Sequence, residues 1–242
     1  MNIENKVVFV TGSNRGIGRS LVEAVLAKGA NKVYASSRNA SSRIGFNDER
    51  VVYLNLDITE LNQIKKASEM AQDTQILINN AGILNQGNIL EGDFENIHSN
   101  MNVNFFSTIN MMREFVPILE RNKSSAIINI VSIAAYSNFP FIAGYSASKA
   151  ALYSATQAAR IELKKKGIQV FAVNPGAIDT DMNKGYEGEM TSSKDVALAI
   201  LNELALDVPD IIPDKVGKAM FEVWKADPAG LEAMASKMYH KE

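Results

Sequence analysis

The feature that most limits how this chain can fold is a series of short, unbroken apolar runs set between longer stretches of helical spacing. The runs are Val7–Val10, Lys32–Ala35, Val51–Leu54, Ile76–Ile78, Ala126–Val131 and Ile168–Val173. A strand with one wet face alternates apolar and polar residues. A strand covered on both faces has no reason to alternate, and reads as a continuous apolar run. Between the runs, Ile17–Lys28, Leu61–Gln72, Asp93–Arg121 and Tyr145–Lys166 carry apolar residues three and four apart, the spacing of an amphipathic helix. Strand–helix alternation of this kind closes through right-handed βαβ crossovers. The expected fold class is therefore α/β: one doubly wound, mostly parallel sheet of about seven strands with helices on both faces.

After Thr180 the pattern loosens. Met182–Ser193 reads as a loop, Lys194–Leu206 as a helix and Asp210–Pro213 as a short last strand. Lys215–Tyr239 reads as helical, apart from a break at Pro228 and Gly230. No repeat, low-complexity tract or linker divides the chain, so residues 1–242 are expected to form a single domain.

Composition removes several kinds of chemistry. The 242 residues include no cysteine, which excludes disulfides, thiolate zinc sites and a cysteine nucleophile together. The two histidines, His98 and His240, give a metal centre or a Ser-His-Asp triad almost nothing to draw on, and no metal is expected. His98 reads as a solvated helix residue, His240 as part of a mobile tail, and the ten methionines as core filler. A net charge of −2 without a long basic run argues against nucleic acid as the main partner. Met1–Lys6 lacks a signal pattern and Val7–Val10 is too short to cross a membrane. The expectation is a cytoplasmic protein with no membrane partner.

The first apolar run leads into Thr11-Gly12-Ser13-Asn14-Arg15-Gly16-Ile17-Gly18, which opens the first helical segment. Glycines let a backbone turn tightly and approach a pyrophosphate, and the helix that follows points its free N–H groups at it. The spacing G-x-x-x-G-x-G, with no Lys-Ser or Lys-Thr after it, argues against an ATP-type phosphate loop. At the end of the second run, an NAD-preferring site places an acid on the adenosine ribose. Here Ser37 and Arg38 stand, with Arg15 in the glycine turn. A guanidinium grips a phosphate through paired charge-assisted hydrogen bonds, so NADP(H) is the expected cofactor.

Tyr145-Ser146-Ala147-Ser148-Lys149 opens another helical segment. Residues four apart share a face at about 5–6 Å between Cβ atoms, so the phenol and the ammonium can serve one site. A lysine beside a tyrosine favours the phenolate. Ser132 follows the fifth apolar run, at the carboxyl end of a strand, where ligands bind in such sheets.

Taken together, these motifs closely resemble those of the short-chain dehydrogenase/reductase family. The matching pieces are Thr11-Gly12-x-x-x-Gly16-Ile17-Gly18, Asp57, Asn79-Asn80-Ala81-Gly82, Asn104 in Asn102-Val103-Asn104, Ser132, Tyr145 with Lys149, and Asn174-Pro175-Gly176 leading to Thr180. They run in the family's order over roughly three quarters of the chain. The resemblance implies a Rossmann-type oxidoreductase with its cofactor part on about 1–130 and its catalytic and substrate part on about 131–242. It implies Tyr145 as general acid for a carbonyl and as base in reverse, with Ser132 hydrogen-bonding the substrate oxygen. Lys149 would hold the nicotinamide ribose and depress the phenol's pKa, and Asn104 would position a water that refills the proton. Asp57 and Ile58 would meet the adenine, and Asn80, Ala81 and Gly82 the adenosine ribose. Pro175, Gly176, Ile178 and Thr180 would hold the nicotinamide. Gly12, Ser13, Asn14, Arg15, Gly16, Ile17 and Gly18 would cradle the phosphates. The implied activity is hydride transfer between nicotinamide and a small-molecule carbonyl or alcohol, with NADPH-driven carbonyl reduction favoured.

Plainer roles exist for several of these residues. Asn104 could satisfy a buried backbone group, Ser132 could cap a strand end, and Asp57 could help cap the next helix, where Thr59 is the better N-cap candidate. A nucleotide-binding regulator or scaffold on the same fold could lose Tyr145 or Lys149 freely, and this chain keeps both. A Rossmann-like methyltransferase would need neither. The short Met182–Ser193 segment suggests an open substrate pocket, with Ile133, Phe139, Phe141, Met182, Tyr186 and Met190 as its apolar lining. The helical ending after Asp210–Asp214 replaces the glycine-rich ending that many tetrameric members use. A homodimer or a monomer is therefore expected rather than a tetramer.

Overall fold

Every residue of Val7–Thr11 is buried, and its side chains divide between two cores: Val8 and Val10 face one way, Phe9 the other. That division is the physical reason the strand sequences are apolar throughout. The computed structural model describes residues 1–38 and 45–240. In it the chain runs β1 (Val7–Thr11), α1 (Gly16–Ala27), β2 (Lys32–Ser37), β3 (Val51–Asn55), α2 (Leu61–Met70) and β4 (Ile76–Asn79). It continues through α3 (Phe94–Met101), α4 (Ser107–Asn122), β5 (Ser125–Ile130), α5 (Ala143–Leu163) and β6 (Ile168–Val173). The last elements are β7 (Ile178–Asp179), β8 (Thr191–Ser192), α6 (Ser193–Ala205), β9 (Asp210–Ile211), α7 (Lys215–Ala226) and α8 (Pro228–His240).

Seven strands form one parallel sheet in the order β3-β2-β1-β4-β5-β6-β9, as expected for a doubly wound α/β fold. The order reverses between β1 and β4, where Phe9 pairs with Leu77. One face is covered by α1 and α6, which bring Leu21, Val25, Ile200 and Leu204 onto the sheet. The other is covered by α2, α4 and α5, through Ile64, Met111, Phe115 and Leu163. The short pair β7–β8 stands apart from the sheet. Among the described residues no helix is long and apolar enough to cross a membrane.

Four local expectations are corrected. The segment Asp93–Arg121 is not one regular helix: a π turn at Asn102–Phe106, with its wider i→i+5 geometry, separates α3 from α4. Thr59 does not cap α2. Glu60 holds that position, while Thr59 gives its backbone N–H and hydroxyl to the Asp57 carboxylate at 3.0 and 2.7 Å. Only Asp227 interrupts the C-terminal helices, because Pro228 serves as the first residue of α8 and Gly230 lies inside it. His240 ends that helix, its ring edge-on to Tyr239. His98 is exposed on α3, as the spacing predicts.

Candidate active site

Each strand from β1 to β6 hands the residues after it to one cavity of about 520 Å³. The cavity crosses the point where the strand order reverses, the place an open α/β sheet offers a ligand.

At one end lies the glycine turn. Gly12 has φ +64°, and a Cβ there would stand 2.9 Å from the Cα of Ala81; a Cβ on Gly18 would stand 2.2 Å from the Gly12 carbonyl oxygen. Side chains at these positions would force β1, α1 and the Asn80–Ala81 segment apart. The Asn80 amide fixes that approach by donating to the carbonyls of Thr11 and Gly12 at 2.9 and 3.0 Å. No side chain caps the start of α1 and its first turn holds no acid, so its leading N–H groups suit an anion. Ser13 is the one expected cofactor contact in this turn that does not line the cavity. Its hydroxyl and N–H both go to the Ser36 carbonyl, at 3.1 and 2.9 Å, which buries it between β1 and β2.

Asn14, Arg15, Ser37, Arg38, Asp57 and Ile58 line the next stretch. Arg15 reaches across the cavity mouth to pair with Asp181 at 3.1 Å, both side chains about two-thirds exposed. An exposed pair of this kind is worth about 0–1 kcal/mol, so the guanidinium can exchange it for a phosphate at little cost. Ala81 and Gly82 continue the wall, and Pro175, Gly176, Ile178 and Thr180 face them.

Tyr145, Lys149 and Ser132 meet at the far side, each 8% exposed or less. One turn of α5 separates the tyrosine from the lysine, whose Nζ sits 5.6 Å from the phenol ring centre. Lys149 donates to the Ile130 carbonyl at 2.8 Å, which ties α5 to the end of β5. Ser132 accepts from the Ala134 N–H at 3.1 Å, so a residue that lines the cavity also caps the short turn after β5. Burial pushes the Tyr145 phenol up, and its hydrogen bond with Ser132 opposes that shift in part. Burial also pulls the Lys149 amine down, to about 7. The expected lowering of the phenol by the lysine charge is not among the influences on Tyr145; desolvation dominates both groups.

Asn104 lies behind this wall rather than in it. The π turn swings its amide inward, where Oδ1 accepts from the Ile83 N–H and Nδ2 donates to the Ile83 carbonyl and to Ser148, all at 2.9 Å. The plainer role, a buried amide satisfying backbone, is therefore the one its side chain performs.

The substrate side differs most from expectation. Ile133, Phe139, Phe141, Met182 and Tyr186 line it as expected, and Met190 does not. The α7 and α8 helices border it as well, so it is partly covered, while Phe141, Met182, Tyr186 and Met238 stay substantially exposed. Ala235 of α8 packs in one buried cluster with Ala134, Phe139 and Tyr145, joined by Leu84, Ile142 and Met220. Met220 and Met238 line the cavity, so the methionines are not only core filler. Neither has a fixed spacing from the Tyr145 motif, and the sequence offers no signal for them. Asp214 was readable and was missed. It follows a short apolar run and precedes a helix, the setting of an N-cap. Its carboxylate accepts from the N–H groups of Gly217 and Gly176, both at 2.8 Å, clasping the start of α7 to the Pro175–Gly176 turn.

Residues 6–190 match the family model described as short chain dehydrogenase. The chain is 33% identical to an uncharacterised oxidoreductase of Staphylococcus saprophyticus, over 76% of this chain and 82% of that protein. A short chain dehydrogenase of Burkholderia cenocepacia, solved in complex with NADP, superposes with a TM-score of 0.93. It is 38% identical, over 97% of this chain and 99% of that one. A Burkholderia phymatum member solved with NAD superposes at 0.83 with 20% identity, over 94% and 95%, and shares the fold. With a match over this span and relatives at this identity, the chain belongs to the short-chain dehydrogenase/reductase family of oxidoreductases.

Proposed function

We propose that the protein is an NADP(H)-dependent carbonyl reductase in which Tyr145 is the general acid. The observation that carries this reading is a convergence. The Tyr145 phenol, Ser132 hydroxyl and Lys149 amine share one end of a cavity whose other end is a glycine turn flanked by Arg15 and Arg38. A volume of about 520 Å³ lies within the range of small-molecule and cofactor sites. A Cβ on Gly82 would come within 3.0 Å of Asn104 Oδ1 and 3.7 Å of Lys149 Nζ, so glycine keeps the approach to the lysine clear. These residues fit a dinucleotide, and the related NADP complex supports the phosphate-bearing form.

In this reading Gly12, Gly16, Ile17 and Gly18 hold the pyrophosphate, and Ser37, Arg38, Arg15 and Asn14 the adenosine phosphate. Asp57 and Ile58 meet the adenine; Asn80, Ala81 and Gly82 border its ribose. Pro175, Gly176, Ile178 and Thr180 fix the nicotinamide face, and Lys149 the nicotinamide ribose. The bound nicotinamide supplies the hydride, and the protein supplies orientation and proton handling. Ser132 donates to the substrate oxygen. Tyr145, kept protonated by burial, passes its proton to that oxygen as the carbonyl carbon is reduced. Lys149, brought to about 7, can take and return a proton behind it at neutral pH. Asn104 is a positioning residue that braces Ile83 and Ser148.

The test is NADPH consumption with a panel of aldehydes, ketones and diketones. Tyr145→Phe keeps the ring and removes the hydroxyl, so kcat should fall roughly a hundred- to ten-thousandfold with NADPH affinity unchanged. A Tyr145→Phe protein that turns over at close to the wild-type rate would falsify the mechanism.

A further inference from the structure

Beyond Tyr145 the cavity continues away from the glycine turn into a chamber walled mostly by hydrocarbon and thioether. Leu84 comes from the segment after β4, Phe139 and Ile142 from the loop before α5, Met220 from α7 and Met238 from α8. Lys184 and Gln86 also reach the cavity wall, and the paired charges Arg15 and Asp181 belong to the nucleotide end. The chamber's lip is apolar as well. Gly87 donates its N–H to the Phe141 carbonyl at 2.9 Å and Asn88 donates to the Tyr239 hydroxyl at 2.9 Å. This seam joins the loop to both the Phe139–Ile142 wall and α8. The next two residues, Ile89 and Leu90, are 53% and 92% exposed. They follow directly in the chain from the residues that meet Phe141 and Tyr239, and so extend from the cavity wall as an apolar pair.

We infer that the substrate is a carbonyl compound carrying a long, unbranched alkyl chain. Its C=O lies at Ser132 and Tyr145. The chain runs past Met220 and Met238 and out across Ile89 and Leu90. This rests on the hydride-transfer reading above and adds a substrate class to it. The reaction stays balanced: the carbonyl carbon gains hydride, its oxygen gains the Tyr145 proton, and NADPH becomes NADP⁺ as the alcohol forms. A polyol or sugar would set most of its hydroxyls against Leu84, Phe139, Ile142, Met220 and Met238, which return no hydrogen bond, with only Gln86, Lys184 and Tyr186 to answer the rest. Methionines, flexible and polarisable, adapt to chains of different length better than a rigid aromatic wall does.

The experiment uses the full chain with NADPH and straight-chain methyl ketones of about four to about ten carbons. Each added methylene should lower KM about three- to fourfold until the chain passes the lip. In parallel, calorimetry with NADP⁺ present measures Kd for unreactive straight-chain amides of matching lengths, which should tighten by the same factor. Leu90 is almost fully exposed, so Leu90→Asp should fold. It should raise KM for the longest ketone roughly fivefold, with an effect that shrinks as the chain shortens. If amide Kd follows chain length but no ketone is reduced, the chamber stands and the hydride-transfer reading falls. If neither KM nor Kd depends on length, or an aldose is reduced with a lower KM than the longest ketone, the inference is overturned.

Discussion

Arg15 is a residue with two possible partners, and cofactor choice turns on which it keeps. It spans the cavity mouth to Asp181. A charge-assisted contact to a phosphate is worth about 1.5–3 kcal/mol, or tenfold and more in affinity. NADPH should therefore bind at least about tenfold tighter than NADH. Arg15→Ala should erase most of that preference, and Asp181→Asn should strengthen it by freeing the guanidinium. Equal calorimetric affinities for the two cofactors in the wild-type protein would rule this out. The buried phenol makes a second residue-scale prediction. With its pKa raised, Tyr145 stays protonated through neutral pH, which suits reduction and hinders oxidation. Below that pKa the phenolate fraction grows tenfold per pH unit. Oxidation kcat/KM should thus climb from about pH 7 to about pH 9 while reduction does not. An oxidation profile flat over that range contradicts it. The meeting of Ser132, Tyr145 and Lys149 at one cavity was legible in the sequence because the family's motifs hold these side chains at set spacings. Ser13 and Asn104 lie outside the cavity lining and bond chiefly to backbone: small polar residues serve backbone as readily as ligand, and only their neighbours decide.

Among the elements, the strands of the main sheet read correctly because burial on both faces leaves an unbroken apolar run, while the two-residue pair β7–β8 leaves none and lay partly in the expected Met182–Ser193 loop. The π turn did not, since one extra residue in a helix hardly disturbs the spacing of Met101, Phe105 and Phe106 around Asn104. The link between α7 and the Pro175–Gly176 turn is the element contact with the most direct effect on the site. Asp214 is only 3% exposed and serves two N–H groups at once. Asp214→Asn keeps the size but offers an NH₂ group to one of those donors. A loss of about 2 kcal/mol lowers Tm by roughly 4–8 °C in a chain of this length. The loosened turn should raise KM for NADPH while kcat at saturating cofactor stays near wild type. Scanning calorimetry and initial rates check both; a lower kcat with unchanged KM would mean Asp214 acts on the chemistry instead.

For the whole molecule, the sheet and its crossovers follow from strand–helix alternation, which fixes handedness and leaves few topologies. The return of α7 and α8 across the site was not legible, because an amphipathic helix declares a face to bury and not the surface that will bury it. The strand order carries a further consequence, for the order in which the molecule is built. All four strands of the β3-β2-β1-β4 half are encoded before residue 80, whereas β5, β6 and β9 must add to the open edge of β4. Parallel pairing across long sequence separations is slow, and chains fold from the end synthesised first. Pulse-labelled amide exchange during refolding should protect β1, β2 and β3, whose registers join the residues nearest in sequence, before β6 and β9. Simultaneous protection of all seven strands is the contrary result. A nascent chain would then close its glycine turn before either the β5 strand end or the Lys149 it anchors has been made.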